Sequence, residues 1–289
     1  MADGAIAIIG RRLGEAVAGG ASAAWWTDAL GRVADEGPRA LPELLPGLAR
    51  RLGRGLLGGG VVHEPAVTTH GRAARVDLDT WRVCDAAGLE LMRACDADPV
   101  ALFQGGDYEE RTIVLRAQAL LPAGPATARL FGEIQRTNTA THFEALACDH
   151  NLPSRACGIA GFGPDELNRL VLKAAFLDLP LARLLGIEEH ANAELSRMLQ
   201  DLATEREAAG RPVWADTDRL VGLAPAPGTL LRLLGALTHG DERRRRAAAE
   251  ALRRVPRPDV AHLIAERAAH ERADDVRRLL DGLAAEWGS

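Results

Sequence analysis

Apolar residues recur at helical spacing almost throughout this chain, and that spacing limits the fold more than any other feature. Alanine, leucine, arginine and glutamate dominate, all strong helix formers, while alternating β-branched runs are nearly absent. Such stripes are buried helix on helix, which predicts an all-α fold. At 289 residues, 47 % of them hydrophobic, the chain can build its core without disulfide or metal staples.

Punctuation residues divide the pattern. Gly19-Gly20 separates helices over 5–18 and 22–34, with Ser22 as N-cap of the second. A third helix, over 41–52, runs into Gly53 and then Gly58-Gly59-Gly60. Residues 61–76 are the least helical, and Val61-Val62 and Ala66-Val67-Thr68-Thr69 suit short strands or an extended loop. Asp79 is placed to cap a helix reaching Cys95, and Asp107 with Glu110 has capping-box spacing for a helix that stops at Leu121-Pro122. A helix over 126–136 follows, then Thr141 with Glu144 offers a second capping box for a helix ending near Cys148. Residues 154–163 read as a glycine-containing loop. Pro164 suits the first turn of the next helix, and a helix over 192–209 closes at Gly210.

Ala224-Pro225-Ala226-Pro227-Gly228 breaks the chain, giving an expected helical domain over 1–222 and a C-terminal helical extension over 229–289 packed on it. The extension carries short helices near 230–237, 242–254, 260–271 and 274–287. Their length and the Pro256/Pro258 separator suggest solenoid-like, HEAT-like stacked helix pairs, although no fixed period is present.

Composition excludes several function classes. A formal charge of −5 argues against nucleic-acid binding, and the run Arg243 to Arg246 sits among Asp241, Glu242 and Glu250 as a solvated helix face. The most apolar stretch, 170–187, contains Lys173, Asp178 and Arg183, so no membrane insertion is expected. Asp3, Arg11 and Arg12 are unlike a signal peptide, and Cys84, Cys95, Cys148 and Cys157 lack C-x-x-C spacing. A soluble, cytoplasmic protein is expected.

No nucleophile elbow, P-loop or dinucleotide fingerprint occurs. His142, Glu144, Cys148 and His150 are acceptable zinc ligands by type, but His142 and Glu144, two apart on a helix, point in different directions. Neither a metal nor a cofactor is expected. The helix after Pro164 is more informative. Leu167, Leu170, Val171, Ala174 and Leu177 cover one face, Leu172, Ala175 and Phe176 much of the other, and Glu166, Arg169 and Lys173 form a polar stripe. Asn168 lies among apolar neighbours. Lys173 is the only lysine in the chain. A half-buried amine can attack carbonyls, yet pairing with Glu144 or Glu166 is the commoner outcome. Residues 136–151 concentrate Arg136, Asn138, His142, Glu144, Cys148 and His150, which either cap helices or line a pocket. Arg197 with Asp201 has the spacing of an exposed pair; turned inward, Arg197 would hold an anion.

Several blocks together resemble the EboA-domain family: Leu115 to Pro122 (LRAQALLP), Arg136-Thr137-Asn138, Phe143-Glu144-Ala145-Leu146-Ala147-Cys148, Asn168 with Leu172-Lys173, and Ala193-Glu194 through Glu205-Arg206 to Ala208-Ala209-Gly210-Arg211-Pro212-Val213. The resemblance is strongest over 107–222. It implies a helical protein of secondary-metabolite clusters, a metabolite-traffic factor, with Arg136, Asn138, Glu144, Asn168 and Lys173 as its polar centre. Where that family typically has an N-P-aromatic-P turn, this chain has His150-Asn151-Leu152-Pro153.

The expected function is to bind or carry a small, largely apolar biosynthetic intermediate, touched by Arg136, Asn138, Asn168, Phe143, Phe176 and Arg197. Other proteins of the same pathway are the expected protein partners. The first alternative is a cofactor-independent enzyme of cyclase or isomerase type, using Glu144, Lys173, His142 and His150 as acid, base or charge stabiliser. The second is a helical scaffold for partner proteins.

Overall fold

The computed structural model describes residues 4–288, so Asp3 lies outside it. The all-α expectation holds, with one addition: among the described residues a single β-hairpin interrupts the helices. The chain divides into two compact units. One comprises the described residues up to Leu170 together with Ala182–Ile187, and the other comprises Val171–Leu181 with the described residues from Glu188.

The first unit opens with α1 (Ala5–Val17), which buries Ala5, Ile9, Leu13 and Val17 at i, i+4 spacing. Its free N-terminal amides meet a buried carboxylate: Ile6 N donates to Glu64 Oε2 at 2.9 Å. Next come α2 (Gly20–Glu36) and α3 (Leu41–Arg51). Ser22 lies inside α2 rather than capping it, and its hydroxyl donates to Arg51 O at 2.9 Å.

The ambiguous stretch forms β1 (Val61–Thr69) and β2 (Arg72–Asp77), paired antiparallel from Val61↔Asp77 to Thr69↔Arg72. His70 (φ 49°) and Gly71 (φ 75°) make the turn, and a two-residue hairpin of the I′ kind needs positive φ at both. The register shifts between Glu64 and Thr68, around Pro65, which has no amide to give the ladder.

Asp79 does not cap the following helix. It turns back to accept from Gly59 N and Gly60 N at 2.8 and 3.0 Å, and α4 (Val83–Arg93) starts later, with Asp85 accepting from Arg82 N. This α4 is buried along nearly its whole length and packs on α1, α3 and, closely, α6. A Cβ at Gly88 would overlap Ile113, so only glycine permits that approach. Asp98 caps α5 (Pro99–Gly105), and the Asp107–Glu110 capping box opens α6 (Tyr108–Ala117) as expected. Then come α7 (Pro125–Arg136), α8 (Ala140–Ala147) and α9 (Leu152–Ala156). The second expected capping box is absent: Thr139 is the N-cap of α8 without a side-chain bond, and Glu144 pairs with Arg183 instead. The expected 154–163 loop is partly α9. Pro164 does open α10 (Pro164–Phe176).

The second unit contains α11 (Ala193–Ala208), α12 (Thr217–Leu223), α13 (Thr229–Ala236), α14 (Glu242–Leu252), α15 (Ala261–Ala269) and α16 (Asp274–Gly288). Asn192 caps α11, its Oδ1 accepting from Leu195 N at 2.9 Å. The proline-rich break at 224–228 lies inside this unit. Helix α14 packs on α12 and α16, and α15 lies against α16. Gly222 makes the first contact close, since a Cβ there would come within 2.6 Å of Ala251 Cβ. No described helix is long and apolar enough to cross a membrane.

Candidate functional site

The polar segment singled out from the sequence is built around the C-terminal end of α8. His142 and Phe143 are buried; His142 Nε2 lies 3.0 Å from Tyr108 O, with its ring 5.0 Å from the Tyr108 ring. Glu144, half-buried, accepts from Arg183 Nη1 at 2.8 Å. Arg183 is also forked onto Asp149, with Nε and Nη2 at 2.9 and 2.7 Å from its two oxygens. That pair, aided by Glu144, holds the guanidinium above its ordinary pKa despite burial. Arg116 adds a second cation 3.7 Å from Asp149.

Backbone geometry explains why Asp149 is so placed. It has φ 66°, the left-handed region, which costs a residue with a side chain free energy. Hydrogen bonds on both sides hold it there: Asp149 N donates to Arg183 O at 2.6 Å, and Asp149 O accepts from Asp77 N at 2.7 Å. His150 then forms isolated bridges with Val76 and Leu184. The departure from the family turn falls at this seam. Asn151 bonds both main-chain groups of β2, its Nδ2 donating to Ala73 O at 2.9 Å and its Oδ1 accepting from Arg75 N at 2.8 Å.

His150 is fully buried. Its Nδ1 accepts from Leu152 N at 3.3 Å, which leaves the proton on Nε2, 3.2 Å from Ala145 O. Burial, reinforced by Arg116, pushes this imidazole down to about 3. Burial likewise pushes the Cys148 thiol up to about 12. Arg155 is sealed as completely: Nη1 donates to Thr69 Oγ1 at 2.9 Å, and Nη2 to the carbonyls of Gln118, Ala119 and Leu121 at 2.9–3.3 Å. Burial lowers its pKa to about 10. Sequence reasoning missed Arg155, Asp149 and Arg183 as organising groups. The available signal was a charged residue inside an apolar stretch, which is seldom buried unless it is bonded.

The remaining expected residues lie on other elements. Arg136 and Asn138 are exposed at the end of α7, with Arg136 Nη2 2.7 Å from Glu133. Asn168 is buried on α10. Lys173 is half-buried, and burial lowers its pKa. Phe176 is exposed beneath the Arg206 guanidinium, 6.0 Å from its ring centre. Arg197 is exposed and paired with Glu194 and Asp201, both at 2.6 Å. Among the described residues no group of three or more His, Cys, Asp or Glu is placed to hold a metal ion.

Space for a guest occurs elsewhere in the first unit. A cleft of about 470 Å³ lies between α3 and α5, walled by Pro38, Pro42, Leu45, Ala101, Leu102 and Gly105. Arg39, Asp96, Asp98 and Glu110 supply its charges. Burial pushes the Glu110 carboxyl up, partly offset by the bond from Asp107 N. Arg111 fixes the far end of α5, donating from Nε to Phe103 O at 2.9 Å. A second groove of about 410 Å³ shares Asp98 and Ala101 and is bordered by Arg129, Glu133 and Arg136.

No curated protein and no solved structure matches the chain. Residues 98–222 are similar to the family described as Metabolite traffic protein EboA, a stretch that begins at the cap of α5 and bears one side of the apolar cleft.

Proposed function

We propose that this protein binds and carries a small, largely apolar metabolite in the cleft between α3 and α5. The supporting observation is the cleft itself: about 470 Å³, an apolar wall, and a few charged groups at its edge. Sites for metabolite-sized ligands have volumes on the order of 300–1,000 Å³ and this division of labour, with apolar walls for affinity and a few polar groups for orientation. Glu110, at the edge of the cleft, is suited to accept a hydrogen bond from a hydroxyl of the guest. Arg136, in the adjoining groove, is the expected ligand residue that this reading uses. The family description, a metabolite traffic protein, points the same way. A biosynthetic setting and delivery to other pathway proteins are further parts of this proposal.

The alternative of a cyclase or isomerase acting through Glu144, His142, His150 and Lys173 draws less support. Both ring nitrogens of His150 are engaged with backbone groups, and Glu144 holds Arg183.

The test plugs the cleft. A Cβ at Gly105 would meet nothing within 4 Å, so Gly105→Leu adds bulk to open space. Ala101→Trp does so from one turn earlier. Titration with the uncharged probe N-phenyl-1-naphthylamine, followed by fluorescence, is expected to show saturable binding to the wild type and at least about tenfold weaker binding to both variants. Equal binding by all three folded proteins, or none by the wild type, overturns the proposal.

A further inference from the structure

The second unit contains a cleft of a different character, about 420 Å³, between the C-terminal half of α11, α13 and the start of α14. Arg232 on α13 and Arg244 on α14 border it, with side chains only 11 % and 16 % exposed. Both are aimed at one carboxylate. The two terminal nitrogens of Arg232 lie 3.4 Å from separate oxygens of Glu207, and Arg244 Nη2 donates to Glu207 Oε1 at 2.9 Å. Thr204 Oγ1 steadies Arg232 at 3.0 Å, and Asp218, buried, lies 3.5 Å from Arg244 Nε. The arginine pair is therefore set in place by neighbours other than Glu207.

Glu207 is the looser member. Its side chain is 44 % exposed, and it sits in the last turn of α11, where the helix dipole disfavours a negative charge. Burial works against its ionisation, and the bonds from Arg244 and Arg232 outweigh that effect. At the floor of the cleft, Gln200 is nine-tenths buried and its amide nitrogen has no hydrogen-bond partner. At the rim, Leu231 is 78 % exposed, an apolar surface beside two cations.

We propose that this cleft is a binding site for a small organic oxyanion, a carboxylate or phosphate on an apolar body, and that Glu207 occupies it until the ligand displaces it. A planar forked guanidinium bonds such anions through two parallel N–H groups, the arrangement Glu207 already adopts. With Glu207 turned to solvent, Asp218 is the carboxylate left beside the two guanidinium groups, and Asp201, which also lines the cleft, is paired with Arg197, which leaves positive charge for the incoming anion. The ligand body then covers Leu231. This site is independent of the apolar cleft in the first unit.

Isothermal titration of the full-length protein with phenyl phosphate, benzoate and inorganic phosphate tests the proposal. The first two present different oxyanions on the same ring, and the third lacks the ring. Glu207→Gln is expected to bind the better of the ring-bearing anions at least about tenfold more tightly than the wild type. Adding Arg244→Met or Arg232→Lys is expected to remove that gain, since lysine keeps the charge and loses the fork. Inorganic phosphate is expected to bind more weakly than phenyl phosphate. Thermal melting identifies the folded variants, and Glu207→Ser is read in the same way should Glu207→Gln not fold. A folded Glu207 variant that binds none of the three anions, or binds them no better than the wild type, overturns the proposal. So does a gain that survives loss of either arginine.

Discussion

Each unit buries a charged residue, Glu271 in the second and Arg155 in the first, and the two are held in different ways. In the second, carboxylates are gripped by several cations: Glu271 accepts from Arg245 at 2.9 Å through both oxygens, from Arg267, and from the amides of Arg272 and Ala273. In the first, beside ion-paired carboxylates such as Asp85 and Asp149, the fully buried Arg155 is held by a hydroxyl and three carbonyls, and His150, kept neutral by burial, is positioned by backbone contacts. Charge paired with charge resists acid until the carboxylate protonates. Charge or base held by the main chain depends on the backbone staying in place, so removing it orphans several buried groups at once. The sharpest way to expose this difference is Arg155→Met, which leaves the carbonyls of Gln118, Ala119 and Leu121 without that donor. A loss of about 3–5 kcal/mol is expected in urea unfolding monitored at Trp81, buried in the same unit. A loss below about 1 kcal/mol would mean the carbonyls find other donors, and the contrast between the units would weaken.

The contrast also has a pH signature. The His150 imidazole is held at about 3 against an ordinary 6.5, so the folded state prefers it neutral. Its contribution to stability is complete above pH 6.5 and is lost as pH falls from 6.5 towards 3. Glu271 is held down to about 2, principally by the hydrogen bond from Arg245. Its contribution is present above its ordinary 4.5 and is lost as pH falls from 4.5 towards 2. The first unit is therefore expected to loosen at milder acidity than the second. Hydrogen–deuterium exchange, corrected for the intrinsic pH dependence of exchange, checks the order by comparing α8 with α16 from pH about 7 down to about 2, which spans both windows. Glu271→Gln is expected to cost about 2–4 kcal/mol at neutral pH and to flatten the lower window only. Simultaneous loosening of both helices would break the comparison.

Much of the fold was legible because its signals are local. The i, i+4 stripe of α1, the Asp107–Glu110 box, Asn192 before α11 and Pro164 before α10 each depend on residues within one or two turns. Failures came where a distant partner outbid a local one. Asp79 chose the glycine amides at 59 and 60, and Glu144 chose Arg183 over the start of its own helix. The hairpin was ambiguous for a related reason. Pro65 and the bulge interrupt the two-residue alternation, and the turn residues His70-Gly71 lack the commoner asparagine or aspartate signal. For the site, a dense polar segment at the end of α8 was legible, and the Asp149–Arg183 pairing that organises it was not, since those residues are 34 apart in the chain. The apolar cleft left no signature at all. Its walls are ordinary proline, leucine, alanine and glycine, and only the approach of α3 to α5 makes them a surface.

The expected site residues themselves separate by the same logic, at the smallest scale. Glu144 shares Arg183 with Asp149, and its side chain is 28 % exposed. Removing its charge leaves Arg183 forked on Asp149, so Glu144→Gln is expected to cost about 1 kcal/mol in urea unfolding. Arg197, with a side chain 55 % exposed, pairs with neighbours on its own helix, Glu194 and Asp201. Solvent screens those pairs and the ordering of three long side chains opposes them, so Arg197→Ala is expected to shift the melting temperature by no more than about 1 °C. The two substitutions together test whether position in a network, rather than charge alone, sets the effect. Because the pairs share no partner, the double variant is expected to show the sum of the single losses, within about 0.5 kcal/mol. A larger Arg197 effect would place that guanidinium in a network that its surface pairs do not account for.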